Sequence, residues 1–209
     1  EGRAVGTLML LGGSNCQLNA AKTAKAMGHR VILADYLEHP PAADVCDEHV
    51  RISTFDAAAC VRAAAQRHVD GVFTSGTDQP VLTAARVAEA LGLPSPISVE
   101  TALKATNKRP MKEAFVRYGV PHVPYRFLKR GQGAYALHGL QTPLVIKPLD
   151  SQGQRGVFKV ETPEAAVRKL EETLAYSRED TALVESFYPS GEVTFSGYMH
   201  EGALYPLTL

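Results

Sequence analysis

The chain has 209 residues, of which 45% are hydrophobic, so it can bury a sizeable core as one large domain or two small ones. Its 22 lysines and arginines balance 22 aspartates and glutamates, whereas a protein that neutralises many phosphates usually carries a basic excess. This balance argues against duplex nucleic acid as a partner, but a local cluster of cations can still bind a small anion.

The cysteines and the apolar runs bear on the compartment. Cys16, Cys46 and Cys60 show no paired spacing, which fits a reducing compartment and predicts no structural zinc. The apolar run at residues 8–11 is too short to span a membrane, and no charged-then-apolar leader opens the chain. The histidines also lack a metal-binding spacing. We therefore predict a cytoplasmic protein with no membrane contact and no metal ligand in this chain.

The first half of the chain alternates apolar strands with helices. A continuous apolar run at residues 5–11 predicts a strand buried on both faces, followed by a helix and a second strand at 31–35. A helix at 56–69, a strand at 71–75 and a helix at 79–91 repeat the pattern. This alternation predicts an open parallel α/β sheet, whose ligands bind beyond the carboxyl ends of the strands.

Polar residues that follow these strands should share one rim of the sheet. The candidates for contact with a substrate are Gly13, Ser14, Asp35, Thr77 and Asp78. Gly12 and Asp35 also suggest a dinucleotide site, but its fingerprint requires glycines at the positions of Ser14 and Gln17. An NAD(P)-dependent oxidoreductase therefore stays as an alternative function.

The pattern changes after residue 91. Two short helices are predicted at 99–106 and 107–118, then a strand ending at 128, antiparallel strands at 143–148 and 157–160, a helix at 163–176 and a strand at 181–187. Two last strands, at 193–199 and 203–209, turn at Glu201 and Gly202. The second half is thus predicted to be mixed α+β. A strand ending at Leu209 would leave an open sheet edge, so we expect a fragment of a longer enzyme.

The hairpin at residues 143–160 carries the most suggestive chemistry. Its first strand ends in Lys147, and the connecting loop contains Gly153 and Gly156. Glycines let several backbone N–H groups approach one phosphate, and the lysine adds a point charge. The hairpin is not a P-loop, because its lysine precedes the loop and a strand follows. Taken alone, it is typical of a flexible surface turn.

Five features in register resemble the ATP-grasp superfamily: Asn107 with Lys108, the strand end at Lys147, the loop 151–156, the strand end 183–185, and Glu192. Residues 1–105 resemble the Rossmann-like domain that precedes the ATP-grasp module in carboxylate–amine ligases and carbamoyl-phosphate-synthase-like proteins. The resemblance implies a Rossmann-like pre-ATP-grasp domain at 1–105 and a linker helix with an α+β lid at 106–187. Residues 188–209 would begin the large ATP-grasp subdomain.

The resemblance also implies an ATP site. Lys108, Lys147 and the loop would contact the phosphates, and Glu192 would accept from the ribose hydroxyls. Adenine would use the carbonyl of residue 185 or 186 and the N–H of residue 188, because the following proline has no N–H. The complete set implied to bind nucleotide is Lys108, Lys147, Ser151, Gln152, Gly153, Gln154, Arg155, Gly156, Glu185, Ser186, Phe187, Tyr188 and Glu192.

The implied activity is an ATP-dependent ligation of a small carboxylic acid to an amine through an acyl phosphate. The resemblance also implies ATP and Mg²⁺ as cofactors and a homodimer as the assembly. The magnesium ligands and catalytic residues would follow Leu209, so this fragment alone would be inactive. A non-catalytic nucleotide-binding module is the second alternative function.

Overall fold

The computed structural model describes residues 5–208, and its first half is a parallel sheet with helices on both faces. The strands are β1 (Thr7–Leu11), β2 (Arg30–Asp35), β3 (Glu48–Arg51) and β4 (Gly71–Phe73), in the order β3-β2-β1-β4. Every neighbouring pair is parallel. The helices are α1 (Asn15–Ala26), α2 (Ala57–Gln66) and α3 (Gln79–Leu91). The predicted α/β class of the first half is confirmed.

Successive side chains of the central strands pack into two separate cores, one on each face of the sheet. Met9 and Ile32 face the cluster that includes residues of α2 and α3. Leu10 and Leu33 face the opposite cluster, which includes alanines of α1. Because both faces are covered, residues 8–11 of β1 and 31–34 of β2 are all apolar, and this pattern predicted both strands from the sequence.

The edge strand β3 was not predicted. Its sequence is Glu-His-Val-Arg, and its residues are half-buried or exposed. It lacks the apolar run that marks the two central strands, and its pairing with β2 becomes evident only in the folded sheet.

Two helices lead from the first sheet into the second. α4 (Val99–Thr106) ends at Asn107, whose side chain accepts from the N–H of Arg109 and so caps α5 (Lys108–Arg117). The predicted second helix began at Asn107, whereas the structure makes this residue the cap. Lys108 consequently occupies the first turn of α5.

The second sheet is antiparallel, with the order β5-β8-β6-β7. Its strands are β5 (Tyr125–Lys129), β6 (Leu144–Pro148), β7 (Phe158–Val160) and β8 (Thr181–Ser186). A short 3₁₀ turn (Ala134–Leu137) and α6 (Pro163–Leu174) pack on one face of the sheet. The predicted hairpin of β6 and β7 is confirmed, and β8 is buried along its whole length.

A two-stranded hairpin follows, formed by β9 (Ser196–His200) and β10 (Ala203–Thr208). Glu201 and Gly202 both have positive φ, 49° and 79°, as a two-residue turn of this kind requires. The strand predicted from residue 193 starts three residues later, because residues 187–195 adopt no helix or strand. No helix among residues 5–208 is long and apolar enough to cross a membrane.

Candidate functional site

Asp35 holds two loops together at the rim of the first sheet. Its side chain accepts from the N–H of Gly13 (2.7 Å) and from the N–H of Leu37 (2.8 Å), and the residue is only 7% exposed. A Cβ added to Gly13 would lie 2.9 Å from Leu33 and from Pro40. Both carboxylate oxygens therefore accept hydrogen bonds from the backbone. This predicted substrate residue thus stabilises the loops of the rim.

Gln17 connects the other rim residues and was missed as a site residue. Its Oε1 accepts from the N–H of Ser14 (3.1 Å) and from the Ser14 hydroxyl (2.5 Å). Its Nε2 donates to the carbonyl of Ser75 (2.6 Å) and to the hydroxyl of Thr77 (3.0 Å). A serine followed three residues later by glutamine is the signature of a capping box, so the sequence contained a signal for this role.

A pocket of about 460 Å³ lies between α5 and the hairpin of β6 and β7. Three lysines line it, Lys108 and Lys112 from α5 and Lys147 from the end of β6. Residues 151–154 of the hairpin loop close one side, and Asp78 reaches it from the first sheet. Met111, Phe115, Val157 and Leu183 give the wall an apolar part. The pocket thus offers cations, loop backbone and apolar surface within one cavity.

Lys108 ties the hairpin loop to α5. Its Nζ donates to the carbonyl of Ser151 (2.7 Å), and its backbone N–H donates to the carbonyl of Leu149 (2.9 Å). Gln152 adds a third tie, from its Nε2 to the carbonyl of Thr106 (2.8 Å). Burial, followed by the nearby Lys147 ammonium, lowers the pKa of Lys108. The two neighbouring cations therefore favour an anion in the pocket.

Glu185 lies behind this pocket and pairs with two lysines. Its carboxylate contacts the ammonium groups of Lys112 and Lys147. The side chain of Glu185 is 6% exposed and that of Lys112 10%, whereas that of Lys147 is 27% exposed. Burial would raise the pKa of Glu185, but hydrogen bonds from both lysines outweigh it, so the pKa lies below its usual value. The carboxylate is therefore ionised.

The chain changes direction after β8, where the adenine contacts were predicted. The N–H of Ser186 donates to the carbonyl of Pro124 (3.0 Å), and the N–H of Phe187 donates to the carbonyl of Pro143 (2.8 Å). Within residues 5–208, the N–H of Tyr188 has no hydrogen-bond partner. Tyr188 is thus the first position after β8 with a backbone donor left for a ligand.

Seven predicted nucleotide residues do not line this pocket: residues 185–188 at the end of β8, and Arg155, Gly156 and Glu192. Arg155 is exposed and lines a neighbouring cleft with Phe55 and Arg178. Gly156 has a φ of 71°, and an added Cβ would lie 2.9 Å from Tyr176. Glu192 is exposed within the irregular segment 187–195. The structure therefore gathers Lys108, Lys147 and residues 151–154 at one pocket, but not these seven.

Among residues 5–208, no group of three or more His, Cys, Asp or Glu side chains is arranged to hold a metal ion. Asp78 is the only carboxylate among the described residues that line the 460 Å³ pocket. The described residues thus do not by themselves form a magnesium site.

Comparisons with known proteins agree with this architecture. Residues 21–95 match the family model of the ATP-grasp N-terminal domain. A D-alanine–D-alanine ligase of Geobacter sulfurreducens is 35% identical over 107 residues, which cover 50% of this chain and 33% of the ligase. The resemblance to the ATP-grasp superfamily is confirmed.

Solved structures share the fold of this chain over nearly its whole length. An L-amino acid ligase from Bacillus licheniformis has a TM-score of 0.71 at 21% identity, covering 96% of this chain and 48% of the ligase. The biotin carboxylase domain dimer of a Hydrogenobacter thermophilus 2-oxoglutarate carboxylase, in complex with MgADP, ADP and bicarbonate, has a TM-score of 0.67 at 18% identity, with coverages of 88% and 45%. The chain spans about half the length of these structures and a third of the curated relative.

Proposed function

We propose that the chain binds ATP in the 460 Å³ pocket and belongs to an ATP-dependent ligase. The observation that carries this proposal is the meeting of Lys108, Lys147 and the Gly-rich loop at one cavity in an ATP-grasp fold. Ammonium groups compensate phosphate charge as point charges, and loop N–H groups add short-range donors.

The rest of the nucleotide would extend along the end of β8. The N–H of Tyr188 would donate to adenine, and the carbonyl of Glu185 or Ser186 would accept from its amino group. The unpartnered Tyr188 N–H among the described residues supports this placement. Glu192 would accept from the ribose hydroxyls, because a carboxylate can accept two hydrogen bonds.

For the reaction, a substrate carboxylate oxygen would attack the γ-phosphorus of ATP while the bond to the leaving ADP oxygen breaks. The resulting acyl phosphate would be attacked at its carbonyl carbon by an amine, and inorganic phosphate would leave. The chain's own contribution is to orient the nucleotide and neutralise its charge. When bound, magnesium would neutralise phosphate charge, and its ligands are not proposed among the described residues.

The carboxylic acid would lie between the rim of the first sheet and the γ-phosphate. Asp78 supports this placement, because it follows β4 in the sequence and also lines the pocket. Gly13, Ser14, Asp35 and Thr77 complete the proposed substrate side. The names of the D-alanine–D-alanine ligase and the L-amino acid ligase support amino acids as the substrate class.

The division into 1–105, 106–187 and 188–209 is proposed with the same function. The first sheet would bind substrate, the second would act as a lid over the nucleotide, and the last residues would begin the large subdomain. A homodimer is proposed as the assembly, in line with the dimer of the biotin carboxylase domain.

The test is turnover by the intact protein. With ATP, magnesium, a panel of amino acids and hydroxylamine, we expect ADP and a hydroxamate, because hydroxylamine traps an acyl phosphate. A panel without ATP turnover, together with tight NADH binding, would favour the oxidoreductase instead. ATP binding without turnover would favour the non-catalytic module.

A further inference from the structure

We propose that Lys112 is a positioning residue that acts as the fixed counter-ion of Glu185 and thereby releases Lys147 to bind phosphate. The inference rests on the proposed ATP site. It concerns a lysine that the motif pattern did not include, on the buried side of the same pocket.

The two lysines differ in what they can do. Both contact the Glu185 carboxylate, but the Lys112 side chain is 10% exposed and is held on α5. Its ammonium also lies 5.5 Å from the centre of the Tyr125 ring and 5.6 Å from that of Phe115. Lys147 has a 27% exposed side chain at the open end of β6. Lys112 is thus enclosed, whereas Lys147 can turn towards the cavity.

An arriving triphosphate competes with Glu185 for Lys147. If Lys147 were the sole partner of Glu185, its departure would leave a buried carboxylate without a cation, and such a charge is strongly unfavourable. With Lys112 in place, Glu185 keeps one ion pair. The pair of Lys147 with Glu185 is therefore exchangeable, and the pair of Lys112 with Glu185 is permanent.

The helix geometry explains why one element can serve both ends of the pocket. Lys108 and Lys112 are four residues apart, so they lie on the same face of α5. Lys108 sits at the loop, where its Nζ donates to the carbonyl of Ser151, and Lys112 sits one turn deeper, against β8. The helix thus presents one cation to the phosphate loop and one to the buried acid.

The test measures binding of ATP and of adenosine to the intact protein by calorimetry or by competition with a fluorescent nucleotide. For Lys112→Met, we expect ATP affinity to fall about 10-fold, since Lys147 is then retained by Glu185, at a cost comparable to one charged hydrogen bond. Adenosine affinity should change less than about 2-fold, because adenosine has no phosphate to draw Lys147 away. Lys112→Arg should restore ATP binding to near the parent value.

A double variant separates this role from the alternatives. In Lys112→Met/Glu185→Gln no buried carboxylate needs a cation, so its ATP affinity should match that of Glu185→Gln alone. If Lys112 contacts phosphate directly, the double variant stays weak, and the inference is overturned. A parallel loss of ATP and adenosine binding would show a merely structural role and would also overturn it.

The two proposals fail in different ways. If the parent protein binds ATP and Lys112→Met binds it equally well, only the role of Lys112 is wrong. If the parent protein binds no ATP, the proposed function falls and the inference falls with it. Thermal unfolding without ligand, run on each variant, confirms that the variants compared are folded.

Discussion

The rim of the first sheet and the pocket beside α5 both collect polar side chains, but they pair them differently. At the rim, Asp35 and Gln17 are buried, and their polar side-chain atoms form hydrogen bonds with backbone and hydroxyl groups of the loops. At the pocket, Lys108 and Lys147 contact partners that a phosphate can replace. The difference separates side chains that build a site from side chains that are proposed to bind a ligand.

Substitutions in the two regions should have opposite effects on stability and on nucleotide binding. A substitution at the rim should mainly lower the stability of the folded chain and alter nucleotide binding little. A substitution at the pocket should mainly weaken nucleotide binding and change stability little. Measuring both the free energy of unfolding and the ATP affinity of each variant therefore tests the distinction.

The largest effect is expected for Lys147→Met on ATP binding. ATP affinity should fall at least about 30-fold, because the loss of a charged hydrogen bond costs about 2 kcal/mol. The free energy of unfolding should change little, since Glu185 keeps its pair with Lys112. Titration calorimetry and chemical denaturation check the two quantities.

Lys22→Met is the matched control, because this lysine is exposed on α1 and does not line the pocket. It should bind ATP like the parent. Unchanged ATP affinity in Lys147→Met would contradict the placement of the phosphates. A large loss of stability would show that Lys147 supports the structure of the site.

The sequence predicted residues that line the pocket better than it predicted the residue that supports them. Lys108, Lys147 and the loop were recognisable because each occupies a characteristic place in a motif order. Lys112 was missed although its spacing from Lys108 places both on one helix face, because its partner Glu185 lies 73 residues further along the chain. A contact of that kind depends on how α5 packs against the second sheet, and no local pattern encodes it.

The rim shows the converse case. Gly13, Asp35 and Thr77 were correctly placed at the ends of strands, because parallel strands bring their carboxyl ends to one edge. The sequence did not reveal that the Asp35 oxygens would be engaged by the N–H groups of Gly13 and Leu37. Loop conformation decides this, and the polarity of a residue is compatible with either role.

Asp35→Ala should have the second-largest effect, this time on stability. The variant leaves the buried N–H of Gly13 without its acceptor, and the N–H of Leu37 loses its partner as well. We expect the free energy of unfolding to fall by roughly 1–2 kcal/mol, within the cost of an unsatisfied buried donor. ATP affinity of the folded protein should stay within about 2-fold of the parent.

Asp44→Ala is the matched control, since Asp44 is exposed in the connection between β2 and β3. Denaturant titration should show it to be as stable as the parent. If Asp35→Ala is equally stable but loses turnover of the acid substrate, Asp35 belongs with the binding residues, and the comparison between the two regions fails at this position.

The smallest effect is expected at a contact between the two halves of the chain. The guanidinium of Arg178, which follows α6, lies 3.3 Å from the centre of the ring of Phe55, which precedes α2. Both residues are exposed, so Arg178→Ala should lower the free energy of unfolding by no more than about 0.5–1 kcal/mol. Arg168→Ala, an exposed substitution on α6, is the control and should have no effect.

ATP affinity, measured by calorimetry, should be unchanged in both variants, because neither residue lines the 460 Å³ pocket. A loss of ATP affinity confined to Arg178→Ala would show that the contact with Phe55 transmits the position of the first sheet to the nucleotide loop, and the two regions would then act as one unit.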